Sequence, residues 1–235
     1  MPLKNNKTLL SIVMPAYNEQ DNIIEVVKSA FLFLKKRKID GEVIVVDDGS
    51  TDKTVKILLG LARLNKNLKI ISHEKNEGYG AAVYDGLCAA KNDLIFFTDS
   101  DRQFDINELD RFIEKIKDYD AVIGYRQNRS EGWVRKMNMK GWALVCYITL
   151  GVKHKDIDCA FKLMKKSSLE KIEISSKGAA FSAELLHKLK KSGASIVELP
   201  VTHYKRQSGR PTGAKLSVII RGFKEIFILK KSLKK

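Results

Sequence analysis

The stretch LIFFTDSDRQFD, residues 94–105, carries five mostly apolar residues straight into a cluster of carboxylates. A run that is apolar at consecutive positions, not alternate ones, reads as a strand covered on both faces, as in parallel sheets flanked by helices. Its end sets Asp99 and Asp101 two residues apart, with Gln103 and Asp105 just beyond. Carboxylates that close repel each other unless water, an arginine or a cation separates them. The segment is therefore either a solvated loop or a grip for a metal ion. Asp105, directly before Ile106, reads as a helix cap and stands outside that grip.

The surrounding chain repeats the same kind of strand. TLLSIVMP (8–15), EVIVVDD (42–48), LKIISH (68–73), DLIFFTD (93–99) and AVIGY (121–125) are apolar runs. Helical patterns lie between them, from about Asp21 to Lys38, after Ser50 and Asp52 (either of which can cap), from about Gly80 to Lys91 and from about Ile106 to Lys117. Such alternation predicts an α/β fold with a mostly parallel, Rossmann-like sheet and helices on both faces. Ligands in these sheets sit at the carboxyl ends of the strands. Both acidic motifs, Asp47-Asp48 and Asp99-x-Asp101, fall at such ends.

The second half is less regular. A helix from about Trp133 to Leu150 is apolar around most of its circumference, as in a buried or membrane-facing helix. DIDCAFKLMKK (156–166) reads as extended, 180–193 as a helix ending at Gly193, and SIVELPVTHY (195–204) as strands broken at Pro200. In the tail, Leu216, Ile219, Ile220, Phe223 and Phe227 follow helical spacing with Lys and Arg between them. This predicts one domain over 1–213 and a basic amphipathic helix over 214–235, packed on the domain or on a membrane surface.

Bulk properties narrow the function. Cys88, Cys146 and Cys159 are widely spaced with no CxxC pair, which fits a reducing compartment and neither a disulfide framework nor a zinc site. The four histidines lack metal-ligand spacing. The start of the chain reads without a signal peptide, and the longest uncharged run, 141–152, is too short to span a bilayer. The net charge of +15 is uneven: residues 1–125 hold 18 basic and 20 acidic residues, residues 126–235 hold 25 and 8. A basic half attracts nucleic acid, anionic lipid or a phosphorylated substrate, or simply confers solubility. No nucleic-acid module accompanies it, so nucleic acid is not an expected partner.

Three further motifs bear on chemistry. PAYNEQDN (15–22) is a strand-to-helix turn in which Tyr17 offers a ring to a base and Asn18 or Glu19 can cap. VVDDGSTD (45–52) offers an aspartate to a base N–H. GYGAAV (78–83) partly matches the dinucleotide fingerprint, but Val83 replaces the third glycine and Gly78 lies five residues past its strand. A dinucleotide-dependent oxidoreductase is thus a competing reading.

Together, SIVMPAYNE, EVIVVDDGSTDKT, NEGYGAAVYDGLCAAKNDLIFFTDSDRQFD and ELPVTHYKRQSGRPTG resemble glycosyltransferase family 2, inverting and of GT-A type, over essentially the whole chain. Within it they are most similar to the polyprenyl-phosphate (dolichyl-phosphate) mannose or glucose synthases. The resemblance implies that Pro15, Ala16, Tyr17 and Glu19 border the nucleotide, and that Asp48, or less readily Asp47, contacts the base. It implies Mg²⁺ or Mn²⁺ held by Asp99, Asp101 and Gln103 against the diphosphate, with Asp99 also at the sugar nucleotide. Arg126 and Arg135 match arginines facing the acceptor phosphate. Asp156 and Asp158 match a stretch near the acceptor, and Arg206 with the loop through Gly209 and Thr212 a stretch that closes over the site.

Two departures matter. Saccharide-acceptor members carry an adjacent Glu-Asp pair that this sequence lacks, and many polyprenyl-phosphate members continue into transmembrane helices. The expected activity is transfer of a hexose from a UDP- or GDP-sugar to a polyprenyl phosphate at the cytoplasmic face of a membrane. Attachment would be peripheral or through a membrane-embedded partner. A saccharide, glycolipid or protein acceptor, and an inactive nucleotide-sugar-binding subunit of a membrane complex, are the alternatives.

Overall fold

The computed structural model describes residues 9–127, 133–206 and 216–232, and the side chains of all but 133–140 and 216–220 among them. Seven strands, β1 (Leu9–Ala16), β2 (Asp40–Asp47), β3 (Leu68–Ser72), β4 (Leu94–Thr98), β5 (Ala121–Gln127), β6 (Phe161–Lys165) and β7 (Ile196–Thr202), form one sheet in the order β3-β2-β1-β4-β6-β5-β7. Only β6 is antiparallel to its neighbours, β4 and β5. The helices are α1 (Ile23–Arg37), α2 (Thr54–Leu64), α3 (Tyr79–Ala89), α4 (Leu109–Lys115), α5 (Trp133–Leu150), α6 (Lys166–Leu169), α7 (Phe181–Lys191) and α8 (Leu216–Ser232).

Strand side chains alternate between two buried faces. Leu10, Ile12 and Met14 of β1 join Val27, Phe33, Leu58 and Phe112 from α1, α2 and α4 on one face. Val13, Ile44 and Phe97 meet Val83, Leu87, Phe181 and Leu185 from α3 and α7 on the other. α3 lies so close to the sheet that a Cβ on Gly86 would collide with Val13 Cγ1. A third cluster joins Ile123 and Leu186 to Cys146 and Leu150 of α5 and Ile226 and Leu229 of α8. The C-terminal helix thus packs on the body through its own apolar stripe.

Two local expectations change. Pro200 does not interrupt β7, which pairs with β5 from Ile196 through Thr202. β7 is an edge strand, where a missing N–H can face away from the ladder. Ser50 does not cap α2: its Oγ accepts the Asn18 N–H, while Asp52 Oδ1 accepts the Thr54 N–H at 2.8 Å. Asp105 does cap, accepting the Asn107 N–H at 2.9 Å at the start of a short 3₁₀ turn. No described helix is long and apolar enough to cross a membrane.

Candidate active site

One rim of the sheet collects the carboxyl ends of β1, β2, β4 and β5. Because β6 runs backwards, its amino end and the preceding loop reach the same rim, where Phe161 pairs with Thr98. The structure therefore brings Glu19, Asp47, Asp99, Asp101, Arg126, Asp156, Asp158 and Arg206 to one edge, although they are spread over most of the chain.

The β1 turn and the β2 end are locked together. Asn18 sits in the left-handed region at φ 55° and its Oδ1 accepts the Thr51 and Asp52 N–H groups. Pro15 and Ala16 are buried, and their carbonyls accept from Ser100 Oγ (2.7 Å) and the Asp48 N–H (2.8 Å). Tyr17 is left exposed.

Asp48, expected to face the base, holds the turn before α3. Its Oδ1 accepts from the Glu77 N–H and its Oδ2 from the Gly78 N–H, at 2.8 and 3.0 Å. His73 bridges Asp48 (2.8 Å) and Asp85 (2.9 Å) through its two ring nitrogens. Burial pulls the His73 pKa down, but its bonds to these carboxylates more than offset this and raise it. Asp47 keeps a buried oxygen, Oδ1, without a hydrogen-bond partner, while Oδ2 accepts the Ser50 N–H. Of the two aspartates, Asp47 is the one with capacity to spare.

Asp99 and Asp101 both leave the end of β4. Burial first, and the charge of Asp101 second, push the Asp99 carboxyl up to about 7. Burial also raises Asp101, although the Gln103 N–H and nearby Arg206 oppose it. Asp99 Oδ1 accepts from the Tyr79 hydroxyl at 3.1 Å. Arg206 Nη1 lies 3.6 Å from Asp101 Oδ2, and its Nη2 bonds Glu19. Burial raises the Glu19 pKa, against the Asn22 and Arg206 bonds. Gln103, expected as a third metal ligand, turns its amide N–H onto the Tyr204 carbonyl at 2.8 Å.

The other half of the rim is built on an ion pair. Asp156 accepts from Arg126 Nε at 2.7 Å and Nη2 at 2.8 Å, and from the Arg126 backbone N–H. Asp158 is exposed on the rim and accepts from Trp142 Nε1 at 3.3 Å, and desolvation by the groups crowded around it raises its pKa. Lys162 on β6 is fully buried and donates to the carbonyls of Ile157 and Cys159, bracing the loop that carries both aspartates. Burial lowers its pKa. Its Nζ lies 5.1 Å from the Phe97 ring.

The sequence alone does not single out Tyr79 or Lys162. Tyr79's signal was its place between two glycines, whereas a lysine in a basic run carries none. The side chain of Arg135 and residues 207–213, with Gly209 and Thr212, lie outside the described residues. Among the described residues no cluster of three or more His, Cys, Asp or Glu side chains forms a ready-made metal site.

Residues 11–173 match the family described as Glycosyl transferase family 2. The undecaprenyl-phosphate 4-deoxy-4-formamido-L-arabinose transferase of Sodalis glossinidius is 27% identical over 210 residues, covering 88% of this chain and 63% of its own. Dodecaprenyl-phosphate galacturonate synthase of Rhizobium johnstonii is 30% identical over 207 residues, covering 85% and 60%. This chain thus spans less than two thirds of these relatives. Among solved structures, glucosyl-3-phosphoglycerate synthase from Mycobacterium tuberculosis, in complex with Mn²⁺, UDP-glucose and phosphoglyceric acid, superposes with a TM-score of 0.70. It is 19% identical and covers 96% of this chain and 80% of its own, a likeness of fold.

Proposed function

Because this chain belongs to glycosyl transferase family 2 and has the GT-A fold, we propose that it is the catalytic unit of an inverting hexosyltransferase acting on a polyprenyl phosphate. The donor is a UDP- or GDP-hexose and the work is done at the cytoplasmic face of a membrane. The observation that carries this reading is the juxtaposition of Asp99 and Asp101 with the Arg126–Asp156 pair on one rim. Relatives named for undecaprenyl- and dodecaprenyl-phosphate substrates support it.

The donor side comprises the exposed Tyr17, the spare oxygen of Asp47, and Glu19, which holds Arg206 in place. A divalent cation fits Asp99 and Asp101. Their carboxyls are raised by burial, and that energetic cost falls when a cation shares their charge. Mg²⁺ and Mn²⁺ are commonly held by one or two carboxylates, with substrate phosphates and water completing the set. When bound, such an ion stabilises charge building on the departing diphosphate. Arg206, beside Asp101, adds to that stabilisation when it exchanges Glu19 for phosphate.

On the acceptor side Asp156 is committed to Arg126 and is not free to act as a base. An acceptor that is already a phosphate monoester needs none. Its oxygen attacks the anomeric carbon as the bond to the nucleoside diphosphate breaks, inverting the centre. Asp156 orients Arg126 edge-on, and Arg126 Nη1 makes no hydrogen bond among the described residues. That leaves it for the acceptor phosphate, with Arg135 as a second cation.

The test is incubation with short polyprenyl phosphates, labelled UDP- and GDP-hexoses and Mn²⁺ or Mg²⁺. A chloroform-soluble glycosyl phosphate is expected. Hydrolysis alone, or transfer only to water-soluble acceptors, would overturn the reading.

A lipid-linked acceptor also suits the outer helices. Leu144, Tyr147 and Ile148 of α5 and Phe227 and Ile228 of α8 are 53–70% exposed, and exposed Arg221, Lys224 and Lys231 flank the α8 pair. The two helices are joined by an edge-to-face contact of Trp142 with Phe223 at 5.5 Å. Apolar burial plus attraction to anionic headgroups is how such helices seat on membranes. Phe227→Ser with Ile228→Ser is expected to weaken binding to anionic vesicles about tenfold or more. Co-sedimentation at low and high salt measures it, and unchanged binding would refute this seat.

A further inference from the structure

The turn that carries Tyr79 is shaped by a segment far along the chain. Gly78 has φ +111°, and a Cβ there would stand 2.5 Å from the Lys177 carbonyl oxygen. A Cβ on Gly80 would stand 2.7 Å from both the Ser176 carbonyl oxygen and Phe181 Cβ. The Lys177 carbonyl accepts the Ala81 N–H at 3.1 Å, and Lys177 Nζ lies 2.9 Å from Glu77 Oε2. Tyr79 stands between these two glycines, so the reach of its hydroxyl to Asp99 depends on how residues 176–178 are seated.

Two carboxylates seat that segment. Glu184 of α7, fully buried, accepts from the Ser175 N–H and hydroxyl and from the Ser176 N–H at 3.0, 2.9 and 2.7 Å. Glu225 of α8 accepts the Ala180 N–H at 3.1 Å, at the start of α7, where a negative charge is favoured by the helix dipole. Its carboxylate lies so flat on Gly178 that a Cβ there would collide with it. Contacts therefore run without a break from α8, through residues 176–180, to Tyr79 and Asp99.

We propose that Glu225 and Tyr79 are positioning residues for Asp99, so that the C-terminal helix is a working part of the donor site and not an appendage to it. This rests on the reading of Asp99 as a donor-site and metal residue. Tyr79 holds one carboxylate oxygen of Asp99 and leaves the other for the cation. Glu225 holds the wall against which Tyr79 is placed.

A double-mutant cycle on Mn²⁺-dependent binding of UDP and GDP, measured by calorimetry, tests it. Tyr79→Phe removes a hydrogen bond to a charged group and is expected to weaken binding about tenfold. Glu225→Ala is expected to weaken it by a similar factor. The double variant should also lose about tenfold and not a hundredfold, because both changes act through one placement. Glu225→Gln keeps an oxygen for the Ala180 N–H and should recover most of the loss.

Additive losses, or a Glu225→Ala protein that binds like the parent, would overturn the proposal. If Glu225→Ala does not fold, Gly178→Ala displaces the same carboxylate and replaces it in the cycle. Failure of the unaltered protein to bind either nucleotide with Mn²⁺ would overturn the donor-site reading together with this proposal. Binding by the parent with additive variants overturns this proposal alone.

Discussion

Asp101→Asn is expected to lower sugar transfer by about a thousandfold or more while leaving the protein at least as stable as its parent. Asparagine keeps an oxygen for the Gln103 N–H, which Asp101 Oδ1 accepts at 3.1 Å, so the turn has no reason to move. What disappears is one of two charges that burial makes expensive and that repel each other. The fold is relieved and the cation grip is lost. Transfer rates at saturating Mn²⁺, together with urea denaturation, measure both sides, and undiminished transfer would remove the pair from the chemistry.

The same electrostatics give a pH dependence. The Asp99 carboxyl is raised to about 7 in the folded protein, against about 4 for an ordinary aspartate. Between these values the native chain holds a proton that the unfolded chain has released. Stability without metal therefore falls as pH rises through that window. A cation needs the ionised form, so Mn²⁺ should raise the melting temperature more at about pH 8 than at about pH 5.5. Equal shifts at the two pH values would contradict the assignment.

Asp156→Ala is expected to cost about 3–5 kcal/mol of folding stability, because it strands the Arg126 charge. The two side chains are 13% and 10% exposed and meet edge-on through two hydrogen bonds. Replacing both residues by apolar ones of similar size, Arg126→Met with Asp156→Leu, should restore most of that stability while abolishing transfer. Denaturant midpoints at unchanged slope would report the first effect and the lipid-phosphate assay the second. An Asp156→Ala protein within about 0.5 kcal/mol of the parent would show that water already reaches the pair.

Much of the donor half was legible in the sequence because it is local. Uninterrupted apolar runs marked buried strands, and each acidic motif followed its strand directly, as at Asp47 and Asp99. The rest depends on distance along the chain. Nothing local in AFKLMKK says that this strand inserts backwards between β4 and β5, and a lysine in that run reads as solvated until β6 buries Lys162. The duty of Asp48 is set by His73, Glu77 and Gly78, some 25–30 residues on. Pro200 reads as a breaker unless the strand is known to lie at an edge. Tyr79 meets Asp99 from a turn whose glycines, Gly78 and Gly80, lie against residues 176–178, about a hundred positions on.

The reversed strand β6 has a consequence for how such a site can diversify. Parallel strands place only the loops that follow them on the working rim, and each of those loops must also lead into a helix. β6 instead brings the loop that precedes it, 151–160, which is tied to the sheet at its far end by strand partners on both sides. That loop is itself anchored, at Asp156 on Arg126 and at the Ile157 and Cys159 carbonyls on Lys162, so it can vary only between those anchors. One rim thus contains two kinds of loop: joints that lead from a strand into a helix, and one hung from a single reversed strand and pinned by an ion pair and a buried lysine.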